Sequence, residues 1–426
     1  MVRDPSKPCV AVVKDEDVAL GVRRALEWVE ETEGLNARGT VMVKPLWDYY
    51  SLGWEAGLRE PPPGWSDPEG NFQPYTDARV VRALVRCFLE RGAERVLVGD
   101  GPLHETPARW FAERTGMDKV VRGAGGELVH FDEEPLVEVH VPDGSVLPKV
   151  RLSKVVLECD LFVNVPKLKT HPMHGLTLGF SNLYGLVAHE ERHPILKQPQ
   201  FSYAMIDVMK LLREKTLTVV DATIAMEGEG PRLGDPVRMN VVIAGRDPVA
   251  TDTIAAMVAG FEPIEGPLEV VSPAVHAGLG VADPSRIEVR GSGVDEVARP
   301  LKRTSYPWIH PSSNVRTYAG GDSCGARPWI QYTPMPEEIE EGKRYALILG
   351  RTPHVPKDLD VDEVWILGDL SLKSVNVKRL ERKGVRVRLV PGCPPVRLKE
   401  YLRLHKWEYP VEKVRCRHTC CASLRG

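Results

Sequence analysis

The sequence predicts an α/β protein: mostly parallel sheets with helices on both faces, plus a smaller C-terminal α/β domain. Three observations carry this. Short Val/Ile-rich runs alternate with amphipathic helical patterns through the first 300 residues, the rhythm of βαβ units. The chain has 426 residues, more than one domain usually holds. A Pro/Ser/Gly-rich stretch, residues 303–328, then separates that region from a shorter one that repeats the rhythm.

The elements follow in order. CVAVVKD, near the start, reads as a buried strand. DVALGVRRALEWVEE reads as a helix with Asp17 as its cap and Ala19, Val22, Ala25 and Val29 on one side. GTVMVKP is a strand ending at Lys44, and residues 45–75 are too long for an ordinary connection. TDARVVRALVRCFLERG is a helix capped by Thr76 or Asp77 and stopped by Gly92, and AERVLVGDG is the next strand. Further on, VVLECDLFVNVPKLKTH is an apolar strand running into a polar loop. FSYAMIDVMKLLREK is an amphipathic helix, and LTVVDATIAMEGEGP is a strand with a Gly-rich loop. VRMNVVIAGRDPVATDTIAAMVAG is strand, turn and helix, and SRIEVRG is a last strand. Residues 1–302 thus form one α/β region, which the pattern allows to split into lobes at about 1–150 and 151–302. Residues 329–426 form a small basic domain with strands RYALILG, DEVWILGD and VRVRLVPG.

Hydrophobic residues make up 42% and charged residues 27%, the balance of a core-forming chain rather than a disordered one. No run approaches the ~18 apolar residues of a membrane span, and the acidic start is no secretory leader, so a cytoplasmic location is expected. The net charge of −3 makes nucleic acid an unlikely partner. From Ser371 onward 15 Lys/Arg face 4 Asp/Glu, a local +11 that leaves −14 for the first 370 residues. That tail is a solvated basic face or a surface for an acidic protein partner. Arg and Pro usage points to a heat-adapted host. Of eight cysteines, Cys9, Cys87 and Cys159 lie in apolar surroundings and read as core residues.

Chemistry concentrates in four places. Residues 164–193 hold Lys167, Lys169, His171, His174, His189 and His193 just past the apolar run Leu161–Val163. Alternate residues of an extended segment share a face, so Lys167, Lys169 and His171 could fix an anion and move a proton. HEERH (189–193) matches the bare His-Glu-x-x-His pattern of a metal site, although Pro194 argues against a long helix. In VVDATIAMEGEGP, Asp221 ends a strand, while Glu227 and Glu229 alternate with Gly228 and Gly230. Such carboxylates could hold a cation or act as acid and base. Asp247-Pro248 in IAGRDPVATD reads as a turn with Asp252 on the helix that begins there, and helix capping is the first explanation for either carboxylate, while Lys44 and Asp100 each end an N-terminal strand. Last, Cys324, Cys393, Cys416 and Cys420, with His418 and Cys421, could supply a soft-metal or iron–sulfur site. Their spacing is not that of a ferredoxin.

The pieces NVPKLKTH, SNLYGLV, VVDATIAMEGEGP and IAGRDPVATD, in that order and spacing, resemble the domain of unknown function 362 family over roughly residues 8–290. The resemblance implies site positions at Lys167, Lys169, His171, Asn182, Gly185, Asp221, Glu227, Gly228, Gly230, Asp247 and Asp252. Members often carry a fused ferredoxin module, and this chain shows none, so no cluster is carried over. Where the family commonly has Lys before the Asn of the NLYG piece, this chain has Ser181. More loosely, the order Gly179, Asn182, Gly185, His193 is similar to the Gly-Lys-Pro-Gly…His layout of the nickel-pincer lactate racemase family, whose lysine is absent here.

Together these readings predict an enzyme acting on a small anionic substrate in an interdomain cleft, by Lys, His and carboxylate chemistry. Lys169, His171, His174 and Glu227 would be catalytic, and Lys44, Asp100, Lys167, Asn182, Gly185, Gly228 and Gly230 would bind substrate. A divalent or transition metal could be held by His189, His193, Asp221 and Glu229 or by the C-terminal cysteines. The alternative is a metal-binding redox protein built on those cysteines.

Overall fold

The computed structural model describes residues 7–47, 74–101, 107–171, 175–196, 201–228, 230–231, 234–263, 270–303, 314–319, 340, 342–349, 355–356, 359–367, 372 and 375–390. The chain divides into two compact units, residues 1–196 with 200–304, and residues 197–199 with 305–426.

The first unit is built on a ten-stranded sheet. Its strands are β1 (Cys9–Lys14), β2 (Gly39–Pro45), β3 (Ala93–Asp100), β4 (Glu127–His130), β7 (Leu161–Val165), β8 (Lys167–His171), β9 (Gly175–Thr177), β10 (Thr216–Glu227), β11 (Asp235–Gly245) and β12 (Glu288–Gly291). The order is β12-β1-β11-β10-β7-β2-β3-β4, and β8 continues beside β10 with β9 on its other edge. Only β11 and β9 run antiparallel to their neighbours. The α/β class read from the sequence is therefore the observed one. The two expected lobes share this single sheet, because β7 inserts between β10 and β2.

Alternation along the strands fills both faces. Val41, Val43, Leu161 and Val163 point to one core, which α1 (Val18–Glu33), α2 (Ala78–Glu90), α3 (Ala108–Thr115) and α4 (Met117–Ala124) cover. Met42 and Phe162 point to the other, with Met205, Ile206 and Ile254. That side carries α5 (Lys154–Glu158), α6 (Gly179–Asn182), α7 (His189–Leu196), α8 (Phe201–Leu212) and α9 (Pro248–Val258). Asp17 caps α1, accepting from the Ala19 and Leu20 amides at 2.9 and 3.2 Å. The buried stripe of α1 is Val18, Val22, Ala25, Leu26 and Val29. Ala19 falls outside it, because steps of three lag the helical repeat of 3.6 and carry that residue off the face. Asp77, not Thr76, caps α2; Thr76 instead ties the Leu46 amide to the Val165 carbonyl. Cys9, Cys87 and Cys159 are buried free thiols, as expected, and burial pushes all three upward in pKa. No described helix is long and apolar enough to cross a membrane.

A separate hairpin, β5 (Leu136–His140) and β6 (Lys149–Ser153), is tethered by Asp207 of α8. The Asp207 carboxylate accepts from the amides of Ser145, Val146 and Leu147 at 2.9, 2.7 and 2.9 Å and from Lys210 Nζ at 3.0 Å. Burial alone would raise its pKa, but these donors outweigh it and hold it below the usual carboxylate value. Its stabilisation is therefore present above the unfolded carboxylate pKa and is lost as pH falls through the folded one. Asp207→Ala should cost about 2–3 kcal/mol at pH 7 by urea unfolding, with the gap to wild type closing below about pH 4. A gap independent of pH would contradict this assignment.

The second unit holds a four-stranded, all-parallel sheet in sequential order: β13 (Val315–Ala319), β14 (Tyr345–Leu349), β15 (Glu363–Leu367) and β16 (Arg386–Val390). Ala346, Ile348, Val364, Ile366 and Leu380 form its core. The three strands read from the sequence are present. The fourth, β13, lies inside the stretch read as a connector, where surrounding Pro, Ser and Gly obscured its VRTYA pattern.

Candidate functional site

In the first unit's sheet, connections from β2 lead outward to β3 and β4, whereas those from β7 lead the other way to β10. In open α/β sheets ligands are bound outside the carboxyl ends of the strands at such a switch point. Lys44 and Asn164 sit there as register partners, each one residue from the end of its strand.

Lys44 is fully buried. Its Nζ lies 2.7 Å from Asp100 Oδ1, at the end of β3, and donates to Asn182 Oδ1 at 2.9 Å and the Pro45 carbonyl at 3.0 Å. Burial lowers the Lys44 pKa, and the Asp100 charge and hydrogen bond oppose that. Asp100 is pinned in turn by the Trp47 and Gly101 amides, both at 2.8 Å. Asn182 Nδ2 donates to Asn164 Oδ1, and Asn164 Nδ2 to the Gly179 carbonyl, each at 2.8 Å. The backbone of Leu183–Leu186 packs so close to β3 that a Cβ on Gly185 would overlap Asp100 Oδ1, and one on Gly101 would overlap Arg192. Arg192 is buried and donates to the carbonyls of Val187, Gly101 and Gly185 at 2.7, 3.0 and 2.8 Å. Burial lowers its pKa, against the attraction of Asp100.

A second buried ion pair lies on the β8–β10 edge. Lys167 and Asp221 are register partners, and Lys167 Nζ reaches Asp221 Oδ2 at 2.9 Å. The same carboxylate accepts from the Asp77 amide at 2.8 Å, the Thr223 amide at 3.0 Å and the Thr223 hydroxyl at 2.6 Å. Burial raises the Asp77 pKa, but hydrogen bonds from Arg79 and the Lys167 charge outweigh it and leave it lowered. Lys169, two residues further along β8, is fully buried, and His171 is half-buried at the strand's end. Strand alternation sets Lys167, Lys169 and His171 on one face.

The acidic loop is sutured to the same strand. Thr170 Oγ1 donates to the Gly228 carbonyl at 2.9 Å, and a Cβ on Gly230 would overlap the Thr170 carbonyl. Glu227 accepts the Lys302 amide at 2.9 Å, and the Gly228 amide donates to the Lys302 carbonyl at 2.6 Å. Asp247 caps α9, accepting from the Ala250 amide at 2.8 Å, and burial raises its pKa. Asp252 is fully buried and accepts from the amides of Gly179 at 2.8 Å and Phe180 at 3.1 Å. Burial pushes its pKa up to about 7 against those two hydrogen bonds.

The structure thus joins Lys44, Asp100, Asn182 and Gly185 in one network and Lys167 with Asp221 in another. It sets Lys169 and His171 beside the second, holds Gly228 and Gly230 against Thr170 of β8, and turns the Glu227 carboxylate to the Lys302 amide. His189 and His193 fall one turn apart on α7, their side chains lying outside the described residues. His174, Glu229, Cys324, Cys393, Cys416 and Cys420 also lie outside them, as does the tail beyond residue 390. Among the described residues, no three His, Cys, Asp or Glu side chains gather to hold a metal. Sequence reasoning missed Asn164, Arg192, Asp77 and Thr223. Arg192 was hidden between two histidines, and Asp77 reads from sequence only as a cap.

Residues 65–257 match the model of the family described as domain of unknown function (DUF362). All four motifs fall within this span, so the resemblance is borne out over a shorter stretch than the 8–290 read from them. A thylakoid-associated protein of Synechocystis sp. is 27% identical over 195 residues, covering 44% of this chain. The chain spans 58% of that curated relative's length. Among solved structures, a protein from Thermotoga maritima aligns at TM-score 0.36 with 13% identity, over 79% of this chain and 72% of that one. The lactate racemase apoprotein from Thermoanaerobacterium thermosaccharolyticum aligns at TM-score 0.37 with 12% identity, over 61% and 59%.

Proposed function

We propose, from the premise that residues 65–257 carry the domain of unknown function 362 pattern, that this chain is an enzyme acting on a small anionic substrate at the strand ends of its first unit. One observation carries the reading: the row along β8 from Lys167, paired with Asp221 in the interior, through buried Lys169 to half-buried His171. Buried ion pairs cost desolvation energy that well-packed apolar residues would not. Two of them, one at the carboxyl ends of β2 and β3 and one where β8 begins against the middle of β10, support a reading in which charge is kept for chemistry rather than stability.

In this reading Lys169 provides the fixed positive charge for the substrate's anionic group. A buried ammonium needs acceptors, and a bound anion would share in supplying them. His171, at the accessible end of the row, transfers the proton. The Lys167–Asp221 pair holds β8 against β10 and so fixes the position of both. Asn182 and Lys44, whose donors are taken up by Asp100, Asn164 and backbone carbonyls, brace the neighbouring strand ends. Free buried thiols favour a reducing, cytosolic setting.

Calorimetric titration with small carboxylates and with inorganic phosphate tests the reading. Wild type should bind at least one of these probes, and Lys169→Met and His171→Gln should each weaken binding about tenfold or more while urea midpoints stay close to wild type. Equal binding by all three proteins, or none by wild type, would sink it.

A further inference from the structure

Asp252 stands apart from the other buried carboxylates around the site. Asp100 and Asp221 each face a lysine, and Asp77 an arginine. Among the described residues no cation faces Asp252; its oxygens take only the Gly179 and Phe180 amides. Those amides open α6, whose last residue, Asn182, reaches Lys44. Gly185 follows, against Asp100.

We propose that Asp252 is a proton-operated catch on residues 179–186, holding them in the strand-end network while ionised and loosening them when protonated. A carboxylate accepts two amides at once, and charged hydrogen bonds are roughly twice as strong as neutral ones. Once protonated, the carboxyl turns its O–H away and still accepts both amides, but as a neutral group, so the Gly179 and Phe180 bonds lose their charge assistance and the one to the hydroxyl oxygen becomes the weaker. A small cavity beside Asp252, lined also by Ser181, Ser202 and Met205, has room for about one water and can accept the new O–H.

On α9 itself the other carboxyl is its cap, Asp247, also raised by burial, but it faces Arg213 at 4.0 Å and bonds Ala250 and Val281, away from residues 179–186. α6 offers Gly179 and Phe180, while Thr218 of β10 and Asn164 of β7 lie around Gly179. The charged side chains of β10 and α8 are engaged elsewhere, Asp221 with Lys167 and Asp207 with Lys210. Lys14, Arg238, His276, Arg286, Asp295 and Glu296, on or next to the other elements packed around α9, are exposed. Burial without a cation is the condition that lifts a carboxyl toward neutrality, and the shift to about 7 agrees with it.

This deepens the proposed site by giving it a regulation, and it rests on that reading only for its consequence. Its test needs no ligand, so it can fail while anion binding succeeds, or the reverse. Hydrogen exchange of the full chain, corrected for intrinsic rates, should show protection of residues 178–186 falling about tenfold between pH 8 and pH 5.5, with β2 and β7 unchanged. Asp252→Asn should exchange at the low-pH level throughout. Should that variant not fold, carbon-13 aspartate labelling of wild type gives the answer directly. A carboxyl titrating between pH 6 and 8 that persists in Asp247→Asn supports the catch; titration of every carboxyl near pH 4, loss of that signal in Asp247→Asn, or protection that does not change with pH, overturns it.

Discussion

Asp221→Ala is expected to cost the first unit about 3–5 kcal/mol, the range for removing one member of a buried ion pair. Whole domains are stable by only about 5–15 kcal/mol, so this single change should shift the urea midpoint drastically or prevent folding. Four donors converge on that carboxylate: Lys167 Nζ, the Asp77 amide, and the amide and hydroxyl of Thr223. Alanine removes this acceptor from all four, and the ammonium among them carries a charge in a fully buried place. Lys167→Met should cost less, because the carboxylate then keeps three uncharged donors and the methionine fills the lysine's volume. Lys167→Met combined with Asp221→Asn should recover part of the Asp221→Ala loss, since both charges of the pair are gone, Asp77 keeps Arg79, and the amide oxygen still accepts. Chemical unfolding of the four proteins checks the order. An Asp221→Ala protein as stable as wild type would mean that the pair is not the anchor of β8.

The contrast with sequence reasoning lies in partners more than in places. Apolar alternation located β2, β7 and β10, and Lys44 and Asp100 did land at strand ends. Asp221, read as ending its strand, instead lies mid-way along β10, and the polar loop read at Lys167–His171 is the strand β8, because β8 takes up pairing with β10 where β7 stops. Periodicity says which face a residue takes but not whom it meets. Lys44 and Asp100 are 56 positions apart, and Lys167 and Asp221 are 54 apart; only the strand order brings either pair together. Asn164 could have been suspected, since an amide in an otherwise apolar run needs a partner. Arg192 could not, because an arginine beside two glutamates reads as a surface residue until three backbone carbonyls close around it. The connector's hidden strand escaped for another reason. Five residues of a parallel edge strand carry too little pattern to stand out from neighbouring prolines and glycines.

Gly185→Ala should be nearly as damaging as the loss of Asp221, although it adds only one methyl group. That methyl would overlap Asp100 Oδ1 and come within 3.0 Å of the Gly101 carbonyl oxygen. Asp100 cannot swing aside, because Lys44 and the Trp47 and Gly101 amides fix both its oxygens. The other route is for residues 183–186 to withdraw from β3. That pulls the Gly185 carbonyl from Arg192 and drags Asn182 from Lys44, leaving two buried cations short of acceptors. Overpacking alone costs about 1–3 kcal/mol, and each broken hydrogen bond to a charged group adds about 1.5–3 kcal/mol, so a loss of about 3 kcal/mol or more is expected. Gly123→Ala is the matching control, because that helical position has open space around it and alanine should be neutral or stabilising by up to about 1 kcal/mol. Differential unfolding of the two variants separates steric conflict from any general effect of replacing glycine. If Gly185→Ala tracks Gly123→Ala, the strand-end network yields to a methyl group, and a site held that loosely could not fix Lys44 for chemistry.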